Sequence, residues 1–128
     1  KLMEVSEASL HAGIRAAKPG NKVGDISKAV EDTIRPFRYG IVQELVGHGI
    51  GRDLHEEPSV PNFTTRSAGP ALKPGMTICI EPMINLGTHK VKTAADGWSI
   101  ITADRKPSVH FEHTVAITEK GPWILTEE

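Results

Sequence analysis

The chain predicts an α+β fold, and three observations predict it. Two helical periodicities fill the first 37 residues, short extended runs fill the remainder, and turn residues rather than helices separate those runs. Strands joined without crossover helices pair antiparallel, so the expected architecture is two helices followed by antiparallel strands.

Residues 1–17 form the first predicted helix. Leu2, Val5, Ser9, Ala12 and Ala16 recur at helical spacing on one face, and Leu10, Ile14 and Ala17 widen the stripe. Lys18-Pro19-Gly20 ends it, because proline disfavours the α conformation in the residue before it and glycine supplies a turn. The second helix is predicted over residues 24–37, with Val23, Ile26, Val30, Ile34 and Phe37 spaced by three and four and Asp25 near its positive end.

After Tyr39-Gly40 the period becomes extended, and residues 41–46 read as a strand leading into Gly47-His48-Gly49-Ile50-Gly51. Residues 51–73, with Pro58, Pro61, Gly69 and Pro70, read as one long irregular loop, a length more often functional than accidental. Lys73-Pro74-Gly75 turns into a strand over 76–81. A turn over 85–89 leads to an extended segment near Val91-Lys92-Thr93, Asp96-Gly97 marks a tight turn, and residues 98–102 continue as a strand. A loop over 104–107, a strand over 111–118, a turn at Lys120-Gly121-Pro122 and a strand over 123–125 complete the chain. No internal repeat or low-complexity tract divides it, so residues 1–128 read as one domain.

Fifteen Lys and Arg against sixteen Asp and Glu give a formal charge of −1, which offers no basic footprint for nucleic acid or an anionic membrane. No apolar run reaches the roughly 20 residues of a membrane span. Residues 1–10 do not resemble a signal peptide, since Glu4, Ser6 and Glu7 interrupt their apolar residues. The lone Cys79 excludes an internal disulfide, and a reducing, cytoplasmic setting is expected. The chain begins without Met and already helical, as a processed or truncated chain would.

The chemistry concentrates in His48, Glu81 and Glu112. Alternation along a strand puts Thr77, Cys79 and Glu81 on one face and Met76, Ile78 and Ile80 on the other. The last long strand likewise separates Glu112, Thr114, Ala116 and Thr118 from Phe111, His113, Val115 and Ile117. Each glutamate thus belongs to the small and polar face, where it reads equally well as a solvated surface group or as a ligand. Two carboxylates meeting in a fold repel, and a divalent ion with a neutral imidazole removes that penalty. Glycines 47, 49 and 51 give His48 freedom of backbone angle and of close approach. Their spacing does not match a phosphate loop, and His55, seven residues on, does not form the helical two-histidine zinc motif. His55 reads instead either as a group that supports the ligands from behind or as one that polarises substrate. No serine elbow is present, and Cys79 beside a carboxylate is a poor thiolate.

Gly47-His48-Gly49-Ile50-Gly51-Arg52, Leu54-His55-Glu56-Glu57-Pro58, Leu72-Lys73-Pro74-Gly75-Met76-Thr77, Ile80-Glu81-Pro82-Met83-Ile84-Asn85, Asp96-Gly97-Trp98 and Phe111-Glu112-His113-Thr114 occur in this order. Together they resemble the C-terminal half of the catalytic domain of the type I methionine aminopeptidases, over nearly the whole chain. Prolidase-like relatives share the framed histidine and Glu81-Pro82. The resemblance implies the pita-bread fold, of which this chain would be the C-terminal pseudo-repeat. It implies His48, Glu81 and Glu112 as metal ligands, with Glu112 bridging two ions, and Co, Mn, Fe or Zn as the candidate metals. It makes Glu81 the proton carrier and His55 a contact to the substrate amide. Trp98 then lies near the methionine pocket, where Leu54 stands in place of a common Phe.

The same resemblance places two aspartate ligands in an upstream half that has no counterpart among these 128 residues. The expected function is metal-dependent removal of N-terminal methionine from peptides and nascent proteins, with the complementary N-terminal half as partner. Two other readings stand beside it. One is a non-catalytic half-domain that holds one ion weakly or none and exposes an apolar face for a partner; the other is a prolidase-like peptidase.

Overall fold

The computed structural model describes residues 1–127. Helix α1 (Leu2–Ala16) is followed by α2 (Val23–Ile34) and a 3-10 turn, Arg35–Phe37. The Asp25 carboxylate accepts the Lys22 backbone N–H at 2.7 Å, which closes the N-terminus of α2. Val5, Leu10 and Ile14 of α1 and Val23, Ile26, Val30 and Ile34 of α2 are all buried. Gly13 brings the helices close, since a Cβ there would lie 2.8 Å from Val30 Cγ2 and 3.3 Å from both Ile26 Cγ2 and Ile80 Cγ2.

The remaining strands are β1 (Gly40–Ile41), β2 (Gly47–Gly49), β3 (Glu56–Val60), β4 (Thr77–Ile80), β5 (Met83–Asn85), β6 (Val91–Thr93), β7 (Ile100–Thr102), β8 (Ser108–His110), β9 (His113–Thr118) and β10 (Gly121–Ile124). They form a five-stranded sheet ordered β10-β9-β4-β2-β3, a three-stranded sheet ordered β1-β5-β8 and a β6–β7 ribbon. Every pairing among the described residues is antiparallel, as expected for strands without crossover helices. Ile78, Ile80, Val115 and Ile117 project from the large sheet into the same buried cluster as α1 and α2. The helices therefore cover one face of that sheet, and transfer of this apolar surface out of water holds the layers together.

One feature of the topology positions the site. β4 and β5 are separated only by Glu81-Pro82, and β8 and β9 only by Phe111-Glu112. Ile80 pairs with His113 in the large sheet and Met83 with His110 in the small one. The register carries on unchanged across the break, which sets Glu81 opposite Glu112 where the two sheets part.

Several element boundaries differ from the sequence expectation. The strand expected over 41–46 is confined to β1, and His48 lies within β2 rather than after a strand. The segment expected as an irregular loop contains β3, which exists because β2 offers it an edge. β5 and β8 were not expected as separate strands; at three residues each they carry too little alternation to read locally. The helix expected to reach Phe37 gives way at Arg35, ahead of Pro36, and the strands expected to include Glu81 and Glu112 stop one residue short of each.

Candidate metal centre

Strand alternation and the sheet break bring His48, Glu81 and Glu112 together. His48 Nε2 lies 3.3 Å from Glu81 Oε1. One ligand atom from each of His48, Cys79 and Glu112 lies within 4.8 Å of the others, and the same holds for Glu81, His110 and Glu112. Glu112 is common to both groups.

Glycines 47 and 49 serve close approach and not unusual backbone angles; the glycines with positive φ are at 20, 69, 75, 97 and 121. A Cβ at residue 47 would collide with the Cys79 carbonyl oxygen, and one at residue 49 with the Glu57 carbonyl oxygen. β2 can thus pair with β4 on one side and β3 on the other, which fixes the His48 ring over the Cys79 position.

The orientation of that ring is chemically informative. Its Nδ1 lies 2.8 Å from the Gly49 carbonyl oxygen, and a carbonyl can only accept, so Nδ1 carries the hydrogen. In the neutral ring, Nε2 is then a bare lone pair facing the Glu81 carboxylate, which is only 12% exposed. Two acceptors in contact need positive charge between them, which a proton or a metal ion supplies. Donation of the second ring N–H to a backbone carbonyl is also the usual outer support of a metal-bound histidine. The side chains present therefore fit a divalent ion.

The surroundings agree. Wholly buried Asn62 donates from Nδ2 to the Glu81 carbonyl oxygen at 3.2 Å, holding the backbone at the strand break. Cys79 is buried, with its Sγ 3.5 Å from Thr114 Oγ1. Burial pushes its thiol pKa up, the Thr114 hydroxyl opposes this, and Glu112 and Glu81 add to it, so Cys79 is a poor nucleophile. His55 is exposed, and its ring centroid lies 4.3 Å from that of His48; both line one open cleft with Glu56, Glu57 and Ser59. His113 points to the helix layer, with its ring 6.0 Å from that of His11, as alternation required.

Leu54 and Trp98 are 67% and 86% exposed, and neither lines the cleft at His48 or the one at His110. Trp98 sits in the β6–β7 turn, where Asp96 accepts its backbone N–H at 2.9 Å. Sequence reasoning missed His110 altogether. Its Nε2 lies 3.2 Å from Glu81 Oε2, and the hydrogen bond to Glu81 raises its pKa above the ordinary imidazole value against the opposing effect of burial. It also walls a cleft of about 240 Å³ with Val42, Leu45, Met83, Ile100 and Ile101. A signal existed: residues 110, 112 and 114 share one strand parity.

Comparison with known proteins gives the family and the fold. The chain is 50% identical over 126 residues to methionine aminopeptidase 1 of Bacillus subtilis, a match covering 98% of the chain and 51% of that protein. It is 51% identical to the methionine aminopeptidase of Borreliella burgdorferi, again over 51% of that protein. The crystal structure of methionine aminopeptidase from Thermotoga maritima superposes with a TM-score of 0.95 at 42% identity, covering 99% of this chain and 51% of that one. Prolidase from Pyrococcus furiosus is more distant, with a TM-score of 0.75 at 27% identity over 32% of its length. The chain thus spans about half the length of the curated relatives it matches, and no helix among the described residues is long and apolar enough to cross a membrane. Its α+β architecture is the pita-bread fold. With a family match running over residues 1–119, the chain belongs to metallopeptidase family M24.

Proposed function

We propose that residues 1–128 are the C-terminal half of the catalytic domain of a cytoplasmic methionine aminopeptidase, which removes N-terminal methionine from peptides and nascent proteins. The observation that carries this reading is the His48 ring, pinned by its Nδ1–H so that its Nε2 lone pair faces Glu81. His48, Glu81 and Glu112 would hold the metal, and Glu112, which belongs to both groups of converging ligand atoms, would be shared if two ions bind. Such ions acidify a water and polarise the peptide carbonyl, and mixed carboxylate–imidazole donors suit Co(II), Mn(II), Fe(II) or Zn.

The chain's own residues do the rest. Glu81 takes the proton from the attacking water and delivers it to the leaving amine. His55, beside His48 and open to solvent, donates to the substrate carbonyl oxygen as negative charge develops there. The apolar cleft beside His110 is of a size for one unbranched apolar side chain. Leu54 and Trp98 contribute to substrate binding once a complementary N-terminal half covers their exposed side chains. That half would also supply the two aspartates the resemblance implies.

The test is methionine release from a Met-Ala-Ser peptide by the full-length protein loaded with Co(II) or Mn(II), beside its Glu81→Gln variant. Removal of the proton carrier is expected to cut kcat by about 10²–10⁴-fold. Unchanged turnover would overturn the role of Glu81, and cleavage of an Ala-Pro peptide in place of the methionine peptide would favour the prolidase reading.

A further inference from the structure

The geometry points to His110 as an additional metal ligand, completing with Glu81 and Glu112 a three-side-chain site within this half of the protein. The inference rests on the metal-centre reading above and extends its ligand set.

The three ligand atoms converge: His110, Glu81 and Glu112 each place one within 4.8 Å of the other two. Bonds of about 2.0–2.2 Å set two ligands of one ion about 3–4 Å apart, and His110 Nε2 lies 3.2 Å from Glu81 Oε2. The strand break accounts for the convergence. His110 closes β8, Glu112 follows in the gap, and the unbroken register sets Met83 opposite His110 and Glu81 opposite Glu112. The arrangement also divides the ligands sensibly. His48 and His110 fall in separate groups of converging ligand atoms that share Glu112, so the two imidazoles would serve different ions. Two carboxylates with one imidazole form a hard, mixed donor set that leaves coordination positions open for water and substrate.

His110 also forms part of the wall of the apolar cleft. An ion held by His110 therefore sits where the cleft meets the carboxylates, which is where the amino end of a substrate seated in that cleft would arrive. Binding an ion there would replace the contact between His110 Nε2 and Glu81 Oε2 and would leave the other Glu81 oxygen to carry the proton.

Two measurements test the assignment, both on the full-length protein. In a crystal structure of the Co(II)-loaded protein, His110 Nε2 is expected within about 2.0–2.2 Å of an ion that Glu81 and Glu112 also bind. Calorimetric titration with Co(II) of the parent, His110→Gln and His48→Gln should show each variant losing at least tenfold affinity at a different one of two ions. Affinity alone would also fall for a histidine that merely oriented Glu81, so the bond distance decides. A bound ion with His110 more than 3 Å away, or an unchanged two-site titration in His110→Gln, overturns this inference and leaves the metal centre standing. Absence of Co(II) binding by the parent overturns both.

Discussion

The two faces of the five-stranded sheet are built on opposite rules. Toward α1 and α2, Ile78, Ile80, Val115 and Ile117 meet Leu10, Ile26, Val30 and Ile34, all no more than 2% exposed and all apolar. On the other face and at its edge, His48, Glu81 and Glu112 gather two carboxylates and an imidazole that a cation would hold together. The first face is complete as it stands and supplies stability. The second brings like charges together, a cost to the fold that a bound ion would offset. Substitutions on the two faces should therefore separate stability from chemistry.

The largest effect is expected on the polar face. Glu81→Gln should lower turnover of the full-length enzyme by about 10²–10⁴-fold while its thermal midpoint in chelator stays within a few degrees of the parent. A variant that lost activity only in proportion to lost folded protein would erase the distinction between the faces. Next comes Ile26→Ala, which empties a fully buried position between the layers. It should cost about 2–5 kcal/mol in urea unfolding, with kcat per folded molecule preserved. Gly47→Ala couples the two effects because residue 47 precedes His48 in the strand packed closely between β3 and β4. Its Cβ would strike the Cys79 carbonyl and approach the Val60 carbonyl oxygen to 3.1 Å. A loss of about 1–3 kcal/mol is expected together with weaker Co(II) binding, since β2 cannot shift without moving His48.

The smallest effect lies far from both faces, in the β6–β7 turn. Hydrogen bonds from the Ser99 hydroxyl and from the Trp98 and Ser99 backbone hold the Asp96 pKa below the ordinary aspartate value. A lowered folded-state value means that the turn's stabilisation is full above the ordinary aspartate pKa and is lost as pH falls through the lowered one. Amide exchange at Ser99 should accelerate over that acidic window in the parent and show no such step in Asp96→Ala.

Much of this arrangement was legible in the sequence because it is periodic. The stripes through Val5, Leu10, Ile14 and through Val23, Ile26, Val30, Ile34 locate the helices and their buried sides. Alternation assigned Cys79 and Glu81 to one face, Ile78 and Ile80 to the other, and turned His113 away from Glu112. What remained hidden is set by partners distant in the chain. β3 carries Pro58 between two glutamates and a serine, and only pairing with β2 makes it a strand. β5 and β8 are three residues each and owe their existence to one another and to β1. His110 escaped for the same reason: a strand read as starting at residue 111 leaves it in a loop, whereas continuity of register across the break returns it to the side of Glu112. The glycines around His48 were recognised as permissive, but close approach between three strands, not backbone angle, is what requires them.

If the paired carboxylates serve a ligand and not the stability of the fold, thermal unfolding of the full-length protein and its Glu112→Gln variant, each in chelator and in Co(II), separates the two. In chelator the variant should melt at or above the parent, because one of two opposed carboxylates is gone; in Co(II) the parent's midpoint should rise and the variant's should rise much less. A variant that melts well below the parent in chelator, or that gains as much from Co(II), would contradict the account.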